Sequence, residues 1–135
     1  MTVMIGIAGS IGAICRYTLG ALVNKIGRSL SPFPIGTWFL NISGAFLLGL
    51  CAYLLQAGIM TETIWLIVGV GFCGAYTTFS TFGTETITLL TKHRFGLALL
   101  YVLTSVVLSL LAAWIGLNIS RFLSKIGRAS CRERV

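Results

Sequence analysis

Four apolar stretches, at about residues 3–23, 35–57, 64–90 and 95–119, fill most of this 135-residue chain. At about 1.5 Å per helical residue, each reaches across the ~30 Å hydrocarbon core of a bilayer. The connectors between them, residues 24–34, 58–63 and 91–94, are short. Only 10% of the residues are charged, against about 25% in soluble domains. An all-α integral membrane protein is therefore predicted, with four transmembrane helices in one domain over residues 1–126 and a lipid bilayer as its surroundings. Residues 127–135 break from the preceding pattern and read as a non-native or disordered tail.

The net charge of +7 raises the question of nucleic acid. The cations, however, sit at the ends of the apolar stretches: Lys25 and Arg28, Lys92 and Arg94, Arg121 and Lys125. That placement suits interfacial anchoring and phospholipid contact, and no nucleic-acid partner is expected. With four spans, the first and third connectors face one side, and the termini and second connector face the other. The basic residues on the two sides nearly balance, and Arg128, Arg132 and Arg134 in the tail tip the bias the other way. Such a chain is expected to insert in both orientations. No basic region precedes the first apolar stretch, so a cleavable signal peptide is not expected. The four cysteines, Cys15, Cys51, Cys73 and Cys131, show no paired spacing, and read as small apolar side chains rather than disulfide or metal ligands.

The third stretch is unlike the others. Residues 71–85 read Gly-Phe-Cys-Gly-Ala-Tyr-Thr-Thr-Phe-Ser-Thr-Phe-Gly-Thr-Glu. Lipid offers backbone and hydroxyl groups no partners, so this run should line a cavity. Gly69, Gly71 and Gly74 weaken the helix just ahead of Thr77 and Thr78, predicting a broken third helix at about residues 74–78. Carbonyl oxygens freed there would suit a hard cation such as sodium. Beyond the break, helical phase sets Ser80, Thr81, Thr84 and Thr88 on one stripe, with Phe79 and Phe82 on roughly the opposite face. Phenylalanines three apart serve as packing; turned edge-on, their electropositive rims also coordinate a small anion. Glu85, one turn beyond Phe82, could orient the threonines or carry protons.

The other spans carry sparser signals. Gly9, Ala13, Arg16 and Gly20 form a small-residue seam holding one cation, which either snorkels to the interface or draws anions and fixes a re-entrant backbone. Thr37, Asn41, Gly44, Ala45, Leu48 and Ala52 share a face of the second span; Asn41 serves either as interhelical glue or as an amide donor to a passing ion. Tyr101, Thr104, Ser105, Ser109 and Ala112 make a second polar stripe. Enzymatic chemistry is not expected: His93 is alone in a connector, and Glu62, Glu85 and Glu133 are far apart, so no catalytic set can be assembled.

In these residues the chain resembles the fluoride channel family called Fluc or CrcB, over about residues 3–120. The marks are Gly12-Ala13-Ile14-Cys15-Arg16-Tyr17, then Gly36-Thr37 with Asn41 and Gly44, then Gly74-Ala75-Tyr76-Thr77-Thr78-Phe79-Ser80-Thr81-Phe82 ending at Glu85. The resemblance implies an antiparallel, dual-topology homodimer in the bacterial inner membrane. It implies two fluoride pores per dimer, and a passive channel that exports fluoride from the cytoplasm. By the same resemblance, carbonyls of Gly74 and Thr77 hold a central structural sodium ion. Pore roles fall to Asn41, Phe79, Phe82, Ser80, Thr81 and Tyr101, with Arg16 matching the first-span arginine and Glu85 and Thr37 as polar support. Ala75 departs from the glycine many members carry. The rival reading is a proton-coupled small multidrug exporter, whose chemistry needs an acid in the first span; residues 3–23 hold no Asp or Glu.

Overall fold

In the computed structural model, residues 1–27 and 32–133 are described; Arg28 and Arg134, used in the charge argument, lie outside them. The first span is α1 (Thr2–Gly27) and the second α2 (Ile35–Gln56). The third (Glu62–Thr91) is composite: a short α3 (Glu62–Ile64), a π-helix (Trp65–Cys73), α4 (Gly74–Tyr76) and α5 (Phe79–Thr91). The fourth is α6 (Phe95–Glu133). All four are long and apolar enough to cross a membrane. The protein is a multi-pass membrane protein, and its exposed surface fits that setting: Val3, Ile7, Ile11 and Ile14 on α1 and Leu99, Leu103, Val106 and Leu110 on α6 point outward.

The helix ends follow from local chemistry. Gly58, with a positive φ of 73°, ends α2, and the N–H groups of Gly58 and Ile59 return to the carbonyls of Leu55 and Leu54, as in a glycine-terminated helix. His93 (φ 57°) makes the equivalent turn between α5 and α6, where the Arg94 N–H reaches the Leu89 carbonyl at 2.9 Å. Asn24, near the end of α1, accepts the Gly36 N–H at 3.0 Å and so supplies one of the donors at the start of α2 with a partner.

Side-chain pairings fix the arrangement. Gly20 against Leu40 and Asn24 against Gly36 run α1 and α2 antiparallel. Ser43 with Tyr76, Asn41 with Thr78 and Thr37 with Glu85 run α2 antiparallel to the third span. Trp38 with Thr104 and Tyr53 with Ser124 run α2 parallel to α6. An up-down-up-down bundle follows.

Glycines set the closest approaches. A Cβ on Gly12 would strike the Phe72 carbonyl of the π-helix, and one on Gly49 would strike the Ala113 carbonyl of α6. The seam expected on α1 is present, but its tightest point is Gly12; Gly9 makes only ordinary contact with Ala75 and the Gly71 carbonyl. Ala75 thus finds its methyl accommodated by a glycine opposite.

Two features depart from the sequence reading. Nine residues of the third span wind as π-helix, with Gly69 leaving room for the Trp65 ring. The last helix also runs through residue 126 to Glu133 without interruption. The expected boundary at 126/127 is therefore not marked in the backbone, although residues 125–133 are all exposed.

Candidate functional site

Between Tyr76 and Phe79 the helical path is interrupted. Thr77 (φ −81°, ψ 155°) and Thr78 (φ −147°, ψ 124°) are extended. Three side chains secure this geometry. Asn41 Oδ1 accepts the Thr78 N–H at 2.9 Å, and Asn41 Nδ2 donates to the Thr78 carbonyl at 3.0 Å. Thr78 Oγ1 caps α5 by accepting the Thr81 N–H at 3.3 Å. Thr77 Oγ1 donates back to the Cys73 carbonyl at 3.0 Å.

These bonds divert two donors. In a continuous helix the Thr78 N–H would reach the Gly74 carbonyl, and the Thr81 N–H the Thr77 carbonyl. Here one goes to Asn41 and the other to Thr78 Oγ1. The carbonyls of Gly74 and Thr77 are thereby released from their helical donors, a donor set of the hard oxygen kind that sodium takes. A Cβ at Gly74 would meet nothing within 4 Å in this chain.

Beside the interruption lies a cavity of about 290 Å³ lined by Asn41, Thr77, Thr78, Phe79, Phe82, Ser105, Val106 and Ser109. Ser105 is 5% exposed, and its hydroxyl has no hydrogen-bond partner among the described residues. The Phe79 and Phe82 rings are 5.8 Å apart, and Phe82 leans on Tyr101 at 5.1 Å. Asn41 spends one of its two amide N–H groups on Thr78, which leaves the other for the cavity.

A second cavity, of about 380 Å³, lies on the other side of Thr78 and is lined among others by Arg16, Thr37, Thr81 and Glu85. Glu85 is held from two helices: Thr37 Oγ1 donates to its Oε1 at 3.0 Å, and the fully buried Tyr101 hydroxyl donates to Oε2 at 2.8 Å. Tyr101 joins the two cavities, with its ring against Phe82 and its hydroxyl on Glu85.

The expected site residues, apart from Gly74, Ser80 and Tyr101, therefore fall into two groups. Asn41, Phe79, Phe82 and Thr77 surround the first cavity; Arg16, Thr37, Thr81 and Glu85 surround the second. Ser80 lines neither, and its hydroxyl meets Thr78 Oγ1 at 3.3 Å. Thr84 and Thr88 donate to backbone carbonyls one turn back. Thr104 is tied to Trp38 and to the Leu100 carbonyl. Thr78 was placed in the predicted break, but its capping of α5 was not read from the sequence. Its position just before Phe-Ser-Thr, where an N-capping hydroxyl would restart a helix, was the available signal. Among the described residues no cluster of three or more His, Cys, Asp or Glu side chains could hold a metal, so any cation site there rests on backbone oxygens.

A family model described as CrcB-like protein, Camphor Resistance (CrcB), matches residues 3–117. The chain belongs to the CrcB-like family. Similar proteins include one from Bacillus cereus named fluoride-specific ion channel FluC 1, 38% identical over 124 residues, covering 91% of this chain and 89% of the relative. Another, from Magnetococcus marinus, named fluoride-specific ion channel FluC, is 42% identical over 121 residues, 88% of this chain and 96% of the relative. A third, of the same name from Acidobacterium capsulatum, is 40% identical over 114 residues, 84% of this chain and 90% of the relative. The CrcB-like match takes in both cavities and the extended Thr77–Thr78 pair.

Proposed function

We propose that this CrcB-like protein is a passive, fluoride-selective ion channel, not an enzyme, that exports fluoride from the cytoplasm across a bacterial inner membrane. The single observation carrying the reading is the Ser105 hydroxyl, buried, unpaired and lining the cavity shared with Asn41, Phe79 and Phe82. Fluoride is small and tightly hydrated. A pore must replace its water with donors each too weak to trap it. Ser105 and Ser109 offer hydroxyls, Asn41 its second amide N–H, and Phe79 and Phe82 their ring edges. Among the described residues no Lys or Arg lines this cavity, so no full positive charge holds the anion back. A negative cell interior favours anion exit by about 2.3 kcal/mol per 100 mV, so no energy-coupled step is required.

The working unit is an antiparallel, dual-topology homodimer with two pores. Phe79 is 84% exposed in one chain, and Gly74, Ser80, Thr81, Thr84 and Thr88 are exposed with it. A hydroxyl-rich face with a broken backbone is unsuited to lipid, and a second copy would cover it. Residues Gly74 and Thr77 of both copies would hold the central sodium ion through their carbonyls. Sodium there would supply a fixed positive charge between the two interrupted spans. Arg16 and Glu85, lining the second cavity with Thr81, provide a polar approach to the pore.

The test is fluoride efflux from liposomes carrying Phe79→Ile or Phe82→Ile protein. Isoleucine keeps apolar bulk and removes the electropositive ring edge. Both variants should elute as the wild-type dimer while efflux falls at least about tenfold, the scale of ~1.4 kcal/mol in a barrier. Wild-type efflux from both well-folded variants would return these rings to mere packing.

A further inference from the structure

Beside the last turn of α2, α6 lines a groove of about 780 Å³ to which the interrupted span contributes no residue. Tyr53 and Ser124 close its inner wall with a 2.9 Å hydrogen bond between their hydroxyls. Arg121, Lys125 and Arg128 line it at four- and three-residue spacing, hence on one face of α6. The chain has only three acids, Glu62, Glu85 and Glu133, and none of them lines the groove. Three cations therefore face it with no carboxylate to neutralise them.

The other half of the lining is apolar and open. Trp114, 62% exposed, stands with Ile115 and Ile119 toward the middle of the helix, and Phe122, 65% exposed, lies between Arg121 and Lys125. The 39-residue α6 is about 58 Å long at about 1.5 Å per residue, close to twice the ~30 Å hydrocarbon core. Its basic end consequently extends past the hydrocarbon into the headgroup layer, with Phe122 beside the cations at the interface. Apolar surface toward the bilayer centre and cations toward the water match one kind of ligand: an acyl chain below a negatively charged phosphate.

We infer that this groove is a binding site for an anionic phospholipid, with Arg121 and Lys125 on the headgroup phosphate and the chains against Trp114, Ile115 and Ile119. The assignment does not depend on the fluoride reading. A basic groove between membrane helices is suited to hold such a headgroup.

The full chain in detergent can be titrated with phosphatidylglycerol and, separately, with phosphatidylcholine, with bound lipid counted by native mass spectrometry. Phosphatidylglycerol should bind about tenfold more tightly. Arg121→Gln with Lys125→Gln should weaken it about tenfold, whereas Lys25→Gln with Lys92→Gln, an equal charge change at the opposite end of the bundle, should leave it unchanged. Lys125→Gln alone, at an exposed position that cannot disturb packing, should cost about threefold. Equal binding of the two lipids, equal loss in the two double variants, or displacement of the lipid by millimolar inorganic phosphate would each overturn the site.

Discussion

A buried hydroxyl without a partner costs about 1–3 kcal/mol, and folded proteins rarely keep one. Ser105 keeps one beside the cavity of Asn41 and Phe82. Replacing it with alanine removes the desolvation cost and the anion donor together. Ser105→Ala is therefore expected to hold or raise thermal stability while fluoride efflux from liposomes falls several-fold. A variant that loses stability and keeps its flux would make Ser105 a packing residue. At this scale the sequence pointed to residues that line the two cavities, and was a poor guide to how they pair. Asn41 was open between glue and ion donor; its two bonds to Thr78 make it glue, with one N–H to spare. That Thr37, Tyr101 and Glu85 converge could not be read, because residues 16 and 48 apart in sequence meet only through the packing of three helices.

The elements were legible where hydropathy alone decides them. The four spans begin and end within a few residues of their apolar stretches, except where α6 continues past its stretch as an exposed helix. The π-helix was not legible, since Trp65–Cys73 is apolar throughout and neither period leaves a mark in such a run. The division of α5 into two surfaces was legible from its phase only for Phe82, which packs on Tyr101 while Thr81 faces the Arg16 cavity; Phe79 is exposed with the hydroxyls. The α2 contact with α6 was missed, because Gly49, Ala113 and Gly116 are small residues on spans full of them. A Cβ at Gly49 would run into the Ala113 backbone, which cannot move aside as a side chain could. Gly49→Val should accordingly separate the two helices at a cost of roughly 1–3 kcal/mol. A melting curve in detergent should shift down, whereas Gly6→Val, where a Cβ meets nothing within 4 Å, should not shift it. Equal melting of both variants would contradict the packing described.

For the whole molecule, the sequence carried the class and the family, and a single chain leaves the assembly as a proposal. Gly74, Phe79, Ser80, Thr81, Thr84 and Thr88 are exposed in one chain, and the carbonyls of Gly74 and Thr77 are released from their helical donors. If those oxygens hold sodium between two copies, exchanging all sodium for potassium should slow or abolish fluoride efflux, and restoring sodium should recover it. Undiminished efflux with sodium absent on both sides would remove the ion from the account. The central claim, that this CrcB-like protein passes fluoride and rejects larger anions, is tested most directly by efflux from liposomes loaded with equal fluoride and chloride. Fluoride should leave in the presence of a potassium ionophore, at a rate proportional to the protein added, while chloride stays at the level of empty liposomes. Equal release of both anions, or release of neither by folded protein, would contradict it.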